Sequence, residues 1–262
     1  MSSKKPLVLV ERDGPLATLT LNRPEKRNAM NSQMTREAKS AIAELAGADG
    51  LRVLVIEGAG DVFSAGADVV EMGALTEDTA RDFITNLHSL IHGVREFPHP
   101  VVCKCRGYVL GGALELMLGC DLRVAADDTK FGMPEVRVGV PSVIEAALFA
   151  PFCGLGAAQD LLLTGRTFDA HEAHRLGVVQ RICPPAELDE ATGAVVAELL
   201  EAAPGALRAQ KALLRRWMQA YLEAAVPPSI DAFEASFRTG EPQEGMAAAH
   251  EKRPPAWAPG EG

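Results

Sequence analysis

The sequence predicts an α/β protein, and three observations carry that prediction. Strand-like runs alternate with segments of helical period over residues 6–140. One such run, VVCKCRGYV (101–109), leads directly into Gly111-Gly112 and an apolar helical stretch. From about residue 143 the pattern turns mostly helical, with too few strands after residue 190 to add to a sheet. The expected organisation is therefore a core over 1–190 and a helical region over 191–262, packed on the core or on another subunit.

Taken in order, PLVLVERDGPLATLTLNRP (6–24) reads as a hairpin, because two β-rich runs flank the turn residues Asp13-Gly14-Pro15. SQMTREAKSAIAELAG (32–47) reads as a helix, with Asn31 or Ser32 as its cap and Gly47 near its end. LRVLVIEGAG (51–60) is a buried strand that ends in glycines. EDTARDFITNLHSLIHGVREF (77–97) is an amphipathic helix stopped by Pro-His-Pro. VVCKCRGYV is expected as a single strand. LRVAAD (122–127) and KFGMPEVRVGV (130–140) are expected as short strands or extended chain.

The 262 residues suffice for one large core, so no disulfide or metal staple is required. A net charge of −9 argues against a nucleic-acid or anionic-membrane binder, while leaving room for an anionic small ligand held by local cations. The five cysteines show no framework spacing, which predicts reduced thiols in a cytoplasmic setting. Cys103 and Cys105 should share one face of a strand, but no second cysteine pair or histidine cluster makes them a metal site. His88 and His92 are spaced i, i+4, yet Ser89 stands where a metalloprotease helix carries Glu, so no metal is expected. GLGAAQ (154–159) lacks the third glycine of a dinucleotide fingerprint and reads as a packing turn. MSSKKPLVLVERDG has no apolar run of leader length, and no segment reaches the ~18 apolar residues of a membrane span.

Three stretches carry chemistry. In GYVLGGALELMLGCD (107–121) Glu115 is the only charge before Asp121, set among leucines and glycines. A helix starting near Gly111 would present unpaired N–H groups at its first turn, and Glu115 lies on the same face. The alternative is a carboxylate buried against an arginine or backbone donor. VFSAGAD (62–68) offers accessible backbone N–H groups after a strand. Two such N–H groups aimed at one carbonyl oxygen form an oxyanion hole. FGMPEVRVGVPS (131–142) places a second acid, Glu135, between apolar flanks. Two carboxyl groups beside an oxyanion hole suit proton transfer next to a thioester or ketone carbonyl. Ser64 has no partner for nucleophilic hydrolysis, and Asp68 and Asp121 read best as caps or hydrogen-bond partners.

Together these stretches resemble the enoyl-CoA hydratase/isomerase (crotonase) superfamily. LNRPEKRNAM, FSAGADV, GYVLGGALEL, CDLRVAA, FGMPEVRVGV, LLLTGRTFDAHEAHRLGVVQRI and EGMAAAHEKRPPAW occur in family order across nearly the whole chain. The resemblance implies a crotonase spiral of β-β-α turns with a C-terminal helical region, assembled as a homotrimer or dimer of trimers. It implies an acyl-CoA substrate, with coenzyme A entering as part of that substrate and no separate cofactor. Ala67 and Gly112 would supply the oxyanion N–H groups. Glu115 would orient and activate water, and Glu135 would exchange the C2 proton. Lys26, Arg27, Ala29, Ala65, Asp68, Val69, Val70 and Lys211 would contact coenzyme A or its substrate. Met72, Pro141, Val143 and Glu145 would line the acyl pocket. Retaining both acids favours hydration over double-bond isomerisation, decarboxylation or hydrolysis, and also over a non-catalytic or RNA-binding relative. One departure stands out: Ser142-Val143-Ile144-Glu145 replaces a glycine-rich run after the proline. It brings branched side chains and a third carboxylate, Glu145, to the expected pocket, with a structural pairing of Glu145 as the alternative.

Overall fold

The computed structural model describes residues 5–258, so the first four residues of the N-terminal stretch and the last four of the chain lie outside it. The hairpin forms as β1 (Val8–Asp13) and β2 (Leu16–Leu21), paired antiparallel, with Gly14 at φ +53° in the turn. Helix α1 (Ser32–Ala46) follows. Its cap is Asn31, whose side chain accepts from the Met34 N–H, and Gly47 ends it. Next come β3 (Val53–Gly58), the short α2 (Val69–Gly73) and the amphipathic α3 (Glu77–Glu96).

The stretch expected as one strand is two. β4 (Val101–Cys105) and β5 (Tyr108–Leu110) belong to different sheets. Gly107 turns the chain between them at φ +62°, and a side chain there would collide with the Asp61 carbonyl. Helix α4 (Gly112–Gly119), entirely buried, comes directly after β5. β6 (Leu122–Ala126) and β7 (Lys130–Gly132) follow, then a 3-10 turn over Glu135–Val138 and another over Ile144–Leu148. The mostly helical second half adds α5 (Phe149–Cys153), α6 (Leu155–Thr164), β8 (Thr167–Asp169), α7 (Ala170–Arg175) and β9 (Arg181–Cys183). It closes with α8 (Leu188–Glu201), α9 (Pro204–Ser236) and α10 (Glu241–Glu251).

The main sheet runs β1-β2-β3-β4-β6-β9, parallel except for β1, and a second sheet runs β5-β7-β8. The strand period sorts the side chains. Val53 and Val55 face a layer with Val195 and Val196 of α8, while Leu54 and Ile56 face the main core with α1 and α3. A sheet buried on both faces explains why these strands are apolar almost throughout.

The boundary expected at residue 190 falls inside α8, and the core continues past it. Leu222, Val226 and Phe233 of α9, with Met246 of α10, join the same cluster as α3 and α4. Cys103 and Cys105 do share a face: both are buried, with their sulfurs 3.4 Å apart. Among the described residues no helix is long and apolar enough to cross a membrane.

Candidate active site

The glycine-rich turn between β5 and α4 sets the site. Gly111, at φ +53°, caps α4, and its N–H is taken by the Gly132 carbonyl of β7. Gly112 is the first helical residue, and its N–H has no acceptor among the described residues. Gly111 is strained for any other residue, whereas Gly112 faces only the tip of a side chain. A Cβ on Gly111 would collide with Glu135 Oε1, and one on Gly112 would lie 2.8 Å from Leu87 Cδ2.

The 62–68 loop reaches the same place from the other side. It is laced to the loop before α1: Met30 N–H donates to Gly66 O, Asp68 N–H to Met30 O, and Ala65 N–H to Arg27 O. Asn28, fully buried at φ +53°, fastens the two loops through its side-chain amide, which donates to Ala59, Val62 and Phe63 carbonyls. Buried Ser64 donates to Asn28 O and accepts from Gly66 N–H, a structural role. The Ala67 N–H, held between these ties, has no acceptor among the described residues.

Ala67, Gly112, Glu115 and Glu135 line one cavity of about 30 Å³, room for a water molecule or two. Met72, Pro141 and Val143 line it too, as expected for an acyl pocket. Five lining residues escaped the sequence reading: Phe83, Ile84 and Leu87 of α3, Val140, and Phe233 of α9. The helical period of α3 marks its three as inward-facing, whereas nothing near Phe233 signals its destination.

The two acids are held differently. Glu115 is 3% exposed, and its Oε1 accepts from the Ala146 N–H at 3.0 Å. Burial first, then the Glu135 and Glu145 carboxylates, holds the Glu115 carboxyl well above the usual carboxylate range. Glu135 sits at the start of its 3-10 turn, and its Oε2 accepts from the Ser142 hydroxyl at 3.1 Å. Burial pushes it up to about 7, against the pull of its own amide and Ser142. Both carboxyls therefore hold their protons more tightly than an ordinary glutamate.

Several expected contacts lie elsewhere. Glu145 does not line the cavity: it is wholly buried behind Glu115, beside His88 of α3. Lys211, expected as a cation for coenzyme A, is 6% exposed, with its ammonium 2.6 Å from Asp121 and 2.9 Å from the His99 carbonyl. Asp121 follows the far end of α4, so this cation is committed away from the cavity. Asp68 is a cap, as its spacing suggested. Its carboxylate accepts from Val70 and Glu71 N–H groups and pairs with Arg23 at 2.5 Å. Burial opposes ionisation there, yet Arg23 and the amides hold the Asp68 carboxyl below its usual value. Lys26 and Arg27 are exposed beside the Ala67 loop, with no acidic partner among the described residues. Arg27 lies 5.9 Å over the Tyr108 ring. Ala29 and Ala65 are partly exposed in the same loop pair, and Val69 and Val70 are exposed on α2.

The two-sheet core with its C-terminal helices is a fold that solved structures share. An enoyl-CoA hydratase from Mycobacterium avium subsp. paratuberculosis superposes with a TM-score of 0.87 at 24% identity, over 97% of this chain and 99% of that one, which speaks for the fold. Residues 11–260 match the enoyl-CoA hydratase/isomerase family model. A probable enoyl-CoA hydratase of Mycobacterium bovis is 38% identical over 95% of this chain and 96% of its own length. A short-chain-enoyl-CoA hydratase of Clostridium acetobutylicum is 31% identical over 94% and 95%. The chain belongs to the enoyl-CoA hydratase/isomerase family.

Proposed function

We propose that this protein is an enoyl-CoA hydratase, adding water across the 2,3 double bond of a 2-enoyl-CoA to give a 3-hydroxyacyl-CoA. The observation that carries the reading is the convergence of two carboxyls and two unpaired N–H groups on one cavity. The thioester oxygen accepts from Ala67 and Gly112, which stabilises the enolate as charge develops. Glu135 gives its proton to C2, Glu115 takes a proton from the water, and the water oxygen bonds to C3. The carboxyl pair begins and ends with one proton, which suits two coupled acids that do not ionise together easily. A Glu135 carboxyl near 7 is matched to proton transfer at neutral pH.

Lys26 and Arg27 are the cations placed to meet the phosphates of coenzyme A, with Ala29, Ala65, Val69 and Val70 flanking its path. Coenzyme A enters with the substrate, and no further cofactor has a role. Exposed Leu213, Leu214, Trp217 and Tyr221 on α9 support an assembly of several copies, a trimer or dimer of trimers. Five free cysteines favour a cytoplasmic protein. The second reading, another reaction through a CoA enolate, draws on the branched 142–145 segment.

Loss of the conjugated-enoyl absorbance of crotonyl-CoA tests the proposal. The intact protein should consume it rapidly, and Glu115→Ala and Glu135→Ala should each lower kcat by about 10³-fold while leaving a folded protein. No loss with short or long enoyl-CoAs would rule out hydration and leave the second reading.

A further inference from the structure

Behind Glu115 lies a buried carboxylate that the reaction above does not use. Glu145 is 0% exposed. Its Oε1 and Oε2 lie 3.0 and 3.2 Å from Nδ1 of His88, but only Oε2 lies in hydrogen-bonding geometry and Oε1 has no well-directed donor. An anion so placed needs a compensating charge. The turn that carries Glu145 also holds Glu115, since the next residue, Ala146, donates its N–H to Glu115 Oε1. The turn itself is forced: Ile144 sits at φ +42°, where a β-branched residue is strained, with its N–H held by the Ser229 hydroxyl of α9.

His88 connects this buried acid to a second cavity. About 610 Å³ of polar space lies between α3 and α9, lined by His88, His92, Arg95, Glu96, Arg215 and Glu223 among others. His92 lies beside His88, ring centres 5.7 Å apart and tilted by 36°. Arg95 also acts on Glu145 through space. The charged and titratable groups facing Glu145 are thus His88 and Arg95 of α3 and Glu115 of α4. His92, Arg215 and Glu223 border the cavity beyond His88, and Glu135 lines the other cavity with Glu115.

We propose that Glu145 and His88 are a pair of positioning residues that act on hydration through Glu115, the imidazole controlling how much of the Glu145 charge Glu115 feels. This rests on the hydratase reading. A bare Glu145 anion opposes ionisation of Glu115, and the carboxyl pair then gives up its first proton at higher pH. The His88 imidazole, 3.2 Å from Glu145 Oε2, offsets that effect whenever it carries a positive charge. The dyad is the use found for the third carboxylate of the 142–145 segment.

The test is the pH profile of kcat for crotonyl-CoA hydration. Glu145→Gln removes the anion, so the acidic limb should move down by about one pH unit. His88→Gln removes the imidazole partner and leaves Arg95, so the same limb should move up, by less than that. His88→Lys, which retains a positive charge, should return the limb towards its original position, and the double glutamine variant should behave like Glu145→Gln. A role confined to packing would lower activity without moving the limbs in opposite directions. An active protein whose limb stays put, or moves the same way in both single variants, overturns the dyad and leaves the hydratase reading standing. An intact protein inactive on every enoyl-CoA overturns both.

Discussion

The two ends of helix α4 each bury a charge and treat it in opposite ways. At the C-terminal end, Lys211 comes in from α9 and meets the Asp121 carboxylate and the His99 carbonyl. That carboxylate also accepts from the Val101 N–H at 2.7 Å, and a cation beside the end of a helix is favoured by its dipole. At the N-terminal end, Glu115 has one donor, Ala146, and shares its surroundings with two further carboxylates. The Gly112 N–H beside it has no acceptor among the described residues. One end is closed and satisfied. The other keeps an N–H without an acceptor among the described residues beside an acid with a single donor, which suits binding something that arrives from outside.

The largest effect should come from breaking the closed end. Lys211→Met leaves Asp121 without its cation and should cost about 3 kcal/mol, read as a lower denaturation midpoint, with kcat of the remaining folded enzyme unchanged. A loss of activity without a loss of stability would mean that Lys211 serves the ligand after all.

The open end should show its strain as a dependence on pH. Glu135 binds its proton more tightly folded than unfolded, so its contribution is fully present below pH ~4.5 and is lost as the pH rises through about 7. The ligand-free protein should therefore lose up to about 3 kcal/mol relative to Glu135→Gln between pH 5 and pH 8. Parallel stability curves for the two proteins would show that burial does not govern this acid.

The smallest effect separates the ends most cleanly. A Cβ on Gly119 would lie 2.6 Å from Cγ2 of Ile91, a stiff branched side chain, and one on Gly112 would lie 2.8 Å from Cδ2 of Leu87, the tip of a flexible one. Gly119→Ala should destabilise by about 1 kcal/mol with normal kinetics. Gly112→Ala should be close to neutral in stability yet slow the reaction, because displacing Leu87 disturbs the cavity wall and the new methyl sits 3.9 Å from Glu115 Oε2. Equal kinetic losses in both would mean that α4 acts as one rigid unit and not as two distinct ends.

What could be read in the sequence follows from how local each signal is. The hairpin, the Asn31 cap and the helical period of α3 depend on neighbours within a few residues, and they fold as expected. Glu115 and Glu135 were visible because a charge in an apolar run is conspicuous. The break at Gly107 was hidden because strand propensity continues across it, and only the backbone of residue 61 explains why a glycine turns there. Lys211 and Glu145 carry no local mark of their partners, which lie on α3 and α4 and their flanking turns. Phe233 lines the cavity from a helix whose own pattern reads as surface and core in alternation.

The small size of that cavity has a kinetic consequence. With room for little more than a water, the resting chamber is roughly a tenth of the size of even a small ligand pocket. On the hydratase reading, an acyl group can enter this chamber only if lining side chains such as Phe233, Phe83 or Leu87 move. Encounter with the thioester should be slower than collision allows, and Phe233→Ala should raise the association rate before it changes anything at the reacting carbons.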